Sequence, residues 1–288
     1  MPILTSTDPT IDYKGCALSA ARSKISYLGP DDLKKIWLNA GIDDKHIYYY
    51  IFKDVINEPK YYFDTDTGVN AYSWVQDKTL HIVFRGTESK DDVKIDIDEL
   101  RSPLFPDNPS IKVHSGFLKQ FRSIKTALID EISAQNEFID IVHFSGHSLG
   151  AALATLAAGF FGPVIHSIMG LRVICHSFGS PRVGNKDFVE WWTGKVDESM
   201  RILNCKDPVP LLPVNGFYTH INGGLEINDR LEVKKLGKDL PWYLRLLYLP
   251  FEIYYRNPIQ NHKCDLYISR LLKLADWDII LDTVQYKS

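Results

Sequence analysis

The chain has 288 residues, 45% of them hydrophobic and 24% charged, with a formal net charge of −3. That composition belongs to a folded globular protein with room for a sizeable core, and it excludes a disordered chain. The slight acidic balance gives no electrostatic case for nucleic acid as a partner.

The first residues, Met1-Pro2-Ile3-Leu4-Thr5-Ser6-Thr7-Asp8, lack the basic region and apolar run of a signal peptide. Residues 13–28 read as a helix closed by Gly29-Pro30, and Asp31 or Asp32 is placed to cap a second helix running through residues 37–40. Residues 69–75 and 80–84 read as paired strands around a turn at Gln76-Asp77-Lys78. Phe117, Phe121, Ile124, Leu128 and Ile132 fall on one helical face, which predicts an amphipathic helix over 116–134. Residues 138–144 are apolar and β-branched, as a buried strand is. Residues 151–158 are rich in good helix formers. Residues 171–177 and 200–204 are further strands. Strands alternating with helices predict an α/β fold whose mainly parallel sheet is covered on both faces.

No internal period and no low-complexity linker divides the chain, so residues 1–288 read as one domain. No stretch approaches the roughly 20 apolar residues of a membrane span. Cys16, Cys175, Cys205 and Cys264 are widely spaced and do not form a disulfide scaffold. No Asn-x-Ser/Thr sequon is present, since Asn108 is followed by proline. Together these features lead to the expectation of an intracellular setting.

Between the strand at 138–144 and the helix at 151–158 stands Gly146-His147-Ser148-Leu149-Gly150. It fits the nucleophile elbow Gly-x-Ser-x-Gly, in which a serine sits on a sharp strand-to-helix turn. The helix N-terminus then directs its dipole and free amides at the place where acyl transfer develops negative charge. A serine needs a base to take its proton, and the base needs a carboxylate to orient and stabilise it. On this fold the order along the chain is serine, acid, histidine. Asp207, in Asp207-Pro208-Val209-Pro210 just past the strand at 200–204, lies where open α/β sheets place their sites. Asp187, Asp197 and Asp229 have helical or hairpin-like contexts. Two histidines follow Asp207: His220, ahead of an expected strand, and His262, in a loop ahead of a helix at 265–274. The loop-borne His262 is the better-placed base.

These residues resemble the class 3 lipases, the fungal-lipase-like α/β hydrolases. The matching pieces, in the family's order, are Ile82-Val83-Phe84-Arg85-Gly86-Thr87, Val113-His114-Ser115-Gly116-Phe117, the pentapeptide around Ser148, Phe178-Gly179-Ser180-Pro181-Arg182-Val183-Gly184-Asn185, and Asn204-Cys205-Lys206-Asp207-Pro208-Val209-Pro210. The resemblance implies Ser148 as nucleophile, Asp207 as acid and His262 as base, with His220 as a second, non-catalytic histidine. It implies an oxyanion hole formed by Thr87 and by the backbone N–H of Leu149. Two positions depart from the family pattern. Ala151 stands where a third glycine is common. Asn261 precedes His262 where aspartate is usual, and the nearby tyrosine is Tyr267.

The resemblance also implies a lid over about 88–101. Residues 88–100 carry six acids against two lysines, a net of −4, and no Trp or Phe. Val93, Ile97 and Leu100 share a helical face, while Val93, Ile95 and Ile97 alternate as in a strand. Residues 241–255 are dense in aromatics just ahead of His262. They read either as buried helix and strand or as an acyl-pocket or interface segment. His143 and His147 lie across a strand and turn, and neighbouring Cys175 and His176 point to opposite faces, so neither pair forms a metal site. No metal or other cofactor is expected. The function expected is a serine carboxylester hydrolase of lipase type acting on lipid or other acyl-ester substrates, with transient contact at a lipid interface. The alternatives are a non-catalytic lipase-like interaction module and, among enzymes, a phospholipase A1 or a feruloyl-type esterase.

Overall fold

The structure, a computed structural model, describes residues 8–40, 43–86, 101–213, 216–237 and 258–281. Its centre is a sheet with strand order β1-β2-β3-β6-β7-β8-β9-β10. The strands are β1 (Lys60–Asp64), β2 (Val69–Gln76), β3 (Thr79–Phe84), β6 (Ile141–His147), β7 (Arg172–Phe178), β8 (Glu198–Asn204), β9 (Leu225–Ile227) and β10 (Val233–Lys235). From β3 through β6, β7 and β8 to β9 the pairings are parallel, and the two edges are antiparallel. The mainly parallel α/β sheet read from the sequence is therefore the observed one. A separate antiparallel pair, β4 (Arg101–Phe105) and β5 (Asn108–His114), is joined to the main body by an isolated bridge between Val113 and Gly184.

Two apolar layers cover the sheet. On one face Leu80, Ile82, Phe84, Val142, Phe144 and Val173 pack with α4 (Ser115–Gln135), α5 (Leu149–Val164) and α6 (Lys186–Trp192). The other face, with Tyr72, Trp74, Val83, Phe178 and Ile202, packs with α1 (Tyr13–Ile25), α3 (Ile47–Phe52) and the C-terminal helix Cys264–Leu274. The parallel strands are buried on both faces, which is why they read as near-continuous apolar runs.

Local chemistry sets most element ends. Asp12 caps α1 by accepting the Gly15 N–H at 2.8 Å. The next helix, α2 (Pro30–Asn39), begins with Gly29 as cap and Pro30 in its first turn. Asp31 and Asp32 sit inside that turn, where their charge meets the helix dipole, and do not cap it. The turn between β2 and β3 is tighter than expected. Gln76 pairs with Thr79, and only Asp77 and Lys78, both at positive φ (47° and 57°), make the reversal. Two left-handed residues match the twist of a hairpin, and aspartate tolerates that region.

One expectation from composition is corrected. α5 runs on into a π-helical turn, Ile165–Met169, and Leu149–Met169 is long and apolar enough by length and composition to cross a membrane. Its most apolar window is 61% buried within the fold, so here it serves as the central core helix. The lid at 88–100, Thr87 and residues 241–255 lie outside the described residues.

Candidate active site

The site is built where β6 turns into α5. β6 runs through Gly146 and His147, and Ser148 then adopts φ 59°, ψ −127°. A non-glycine residue in that region is strained, and the strain lifts the side chain out of the turn. The flanking glycines are sterically required. A Cβ on Gly146 would lie 2.3 Å from the Gly150 carbonyl, and one on Gly150 would lie 2.2 Å from the Phe84 carbonyl oxygen. β3 and α5 approach too closely at this point for any side chain.

The structure brings three of the sequence-derived residues together. His262 Nε2 is 2.8 Å from Ser148 Oγ, and His262 Nδ1 is 2.8 Å from Asp207 Oδ2. Because the carboxylate accepts, Nδ1 carries a proton, which leaves the Nε2 lone pair facing the serine hydroxyl. All three residues are buried, with relative exposures of 7% for Ser148, 4% for Asp207 and 9% for His262. His262 does not sit in a loop. It is the last residue of a short helix, α7 (Pro258–His262), separated from α8 (Cys264–Leu274) by extended Lys263. A five-residue helix is too short to leave an apolar period, so its sequence reads as loop.

Asp207 is held by more than its histidine. Its Oδ2 also accepts the Tyr267 hydroxyl at 2.6 Å, and its Oδ1 accepts the Val209 N–H at 2.9 Å. Tyr267 in turn accepts the Asn204 N–H at 3.0 Å. Burial, reinforced by the Asp207 charge, holds the Tyr267 hydroxyl well above its usual pKa. It therefore remains a donor throughout the neutral range. Asn204 Nδ2 donates to the Asn261 carbonyl at 3.2 Å, which ties the end of β8 to the residue before His262. Arg270 Nη1 donates to Asn204 Oδ1 at 2.9 Å and holds that amide in orientation.

The remaining sequence-derived residues are placed as follows. Leu149 is the first residue of α5, so its N–H has no acceptor within the helix and faces the serine end. Thr87 lies outside the described residues. His220 Nε2 donates to the Pro210 carbonyl at 2.7 Å, bracing the loop after Asp207. His143 and His147 lie on one face of β6, since the strand continues through the motif. They nevertheless engage different partners: His143 Nε2 is 3.1 Å from Ser19 Oγ, and His147 Nδ1 is 2.9 Å from Tyr27 Oη. The His147 and Tyr27 contacts were not legible in the sequence. Tyr267 had one faint signal, the tyrosine shortly after the base that the family pattern carries.

The fold and this serine-centred turn define the α/β hydrolases. Within that class, residues 81–217 match the family described as lipase (class 3), so the resemblance carried by the motifs holds across the centre of the chain. The chain is 34% identical over 111 residues to a secreted mono- and diacylglycerol lipase of Fusarium solani, covering 38% of this chain and 32% of that protein. It is 30% identical over 146 residues to phospholipase A1-IIgamma of Arabidopsis thaliana, covering 43% of this chain and 34% of that one. The chain thus spans about a third of the length of these curated relatives. The solved Rhizomucor miehei triacylglyceride lipase superposes with a TM-score of 0.69 over 90% of this chain and 98% of its own, at 21% identity, a likeness of fold. The secreted relative overturns the intracellular expectation. Few cysteines and no sequon are weak guides, because a core of this size needs no disulfides to hold it.

Proposed function

We propose that the chain is a serine carboxylester hydrolase of lipase type, acting on acylglycerols or related acyl esters. The observation that carries this reading is the continuous line of hydrogen bonds, 2.8 Å and 2.8 Å, from Ser148 through His262 to Asp207. Ser148 attacks the ester carbonyl as His262 Nε2 takes its proton. Asp207 stabilises the imidazolium that results, and the Leu149 N–H is the donor to the oxyanion of the tetrahedral intermediate, with Thr87 assigned the second donor by the family resemblance. His262 then protonates the leaving alkoxide. Water, activated by the same base, releases the acid and restores the serine. Oxyanion donors in such sites contribute about 3–4 kcal/mol each to the transition state.

We read residues 1–288 as one such domain, with the lid over about 88–101. Transient contact with a lipid interface belongs to the same reading. Phe217 is 58% exposed, with the Arg101 guanidinium at the start of β4 lying over its ring. Its ring is an exposed apolar surface of the kind such contact uses.

The test is covalent and kinetic. A fluorophosphonate probe labels the wild-type protein, and labelling vanishes in Ser148→Ala. Hydrolysis of p-nitrophenyl butyrate falls by roughly 10⁴-fold or more in the same variant, while its circular dichroism is unchanged. Labelling or turnover that survives Ser148→Ala refutes the assignment. A panel of mono-, di- and triacylglycerols and phosphatidylcholine then fixes the head group.

A further inference from the structure

The base is anchored at its side chain by Asp207, but its backbone also has a dedicated partner. His262 ends a helix, and the last carbonyls of a helix have no acceptor-satisfying N–H within it. His147 fills that gap: its Nε2 is 2.7 Å from the His262 carbonyl oxygen. A carbonyl only accepts, so Nε2 carries the proton. In the neutral ring Nδ1 is then an acceptor, and the Tyr27 hydroxyl 2.9 Å away is its donor.

Neutrality follows from the surroundings. His147 is buried, and its ring centroid lies 4.6 Å from that of His262. Burial first, and then the neighbouring His262, hold His147 well below the ordinary histidine pKa. A charged His147 would oppose the imidazolium that His262 must become. The fold also makes room for the tyrosine. A Cβ on Gly86 would lie 2.2 Å from Tyr27 Oη and 2.6 Å from the His147 carbonyl oxygen. Tyr27 follows α1, which is itself fastened to the start of α8 by the Lys24–Asp265 ion pair and by Cys264 Sγ on the Ala20 carbonyl at 3.5 Å.

We propose that Tyr27 and His147 are positioning residues for the base: the line Tyr27 Oη, His147, His262 carbonyl fixes the His262 backbone and so aims its Nε2 at Ser148. The inference rests on the hydrolase reading above. With the side chain held by Asp207 and the backbone held by His147, the imidazole has no freedom to swing off the serine.

Tyr27→Phe keeps the ring and removes only the hydroxyl. On p-nitrophenyl butyrate its kcat is expected to fall roughly ten- to hundred-fold with KM unchanged, because a small misplacement of the base suffices for such a loss. His147→Gln places an amide nitrogen where Nε2 stood, and adding Tyr27→Phe to it has almost no further effect. Independently of turnover, ¹⁵N NMR of the wild-type His147 ring shows the neutral Nε2–H tautomer, and its Nδ1 signal shifts in Tyr27→Phe. Wild-type kcat in Tyr27→Phe, a change in KM in place of kcat, or independent losses in the double variant overturn the positioning role and leave the hydrolase reading standing. A wild-type protein that neither labels nor turns over esters overturns both.

Discussion

At the Asp207 carboxylate three donors converge: His262, Tyr267 and the Val209 amide. With no side-chain exposure, the carboxylate depends on them for all its solvation. Tyr267→Phe removes one charge-assisted bond and leaves the Asn204 N–H without its acceptor. It is expected to lower stability by about 1.5–3 kcal/mol in urea titrations and to slow ester turnover while Ser148 still labels. An unchanged urea midpoint would show that water replaces the hydroxyl. Ser148 was legible in the sequence because its strained backbone dictates glycines two residues away on both sides. Tyr27 and His147 were not, because their bond joins residues 120 apart and leaves no local spacing to read.

Among the elements, the long ones were the most readable. α4 shows its apolar face in the sequence because five residues at helical spacing must meet one core. Phe121, fully buried and edge-on to Phe160 and Phe161, is the centre of that face. Phe121→Ala is expected to cost about 3–5 kcal/mol. Lys119→Ala, on the exposed side of the same helix, stays within about 0.5 kcal/mol. Equal losses by thermal denaturation would mean that α4 is not held by this face. Short elements were opaque for the converse reason. α7 and the two-residue turn at Asp77-Lys78 are fixed by tertiary contacts and backbone sign, neither of which sets a hydrophobic period.

The molecule as a whole buries a row of histidines between the sheet and α1. His81 Nδ1 is 3.2 Å from His143 Nδ1, and the His143 ring lies 4.7 Å from that of His176. Burial holds His81 and His143 well below the ordinary histidine value, with His176 and Arg22 adding to the effect. His147 is depressed in the same direction. The unfolded chain takes up these protons below about pH 6.5 and the folded one does not, so acid favours unfolding. Stability is therefore full above pH 6.5 and declines as pH falls, by up to about 4 kcal/mol per unit for the three. Guanidinium midpoints that are equal at pH 7 and pH 5 would refute this. The central motifs made the sheet and the serine legible. Chain order and the family resemblance singled out His262, but the Tyr27–His147 contact behind it and the histidine row became visible only once both flanks of the chain were folded against the middle. Ser148 and His262 are 114 residues apart, and the segment matching the family ends at 217. On the proposed hydrolase reading, a nascent or half-folded chain carries an inert serine, and the first turnover of substrate is itself a report that the helix ending at His262 has docked.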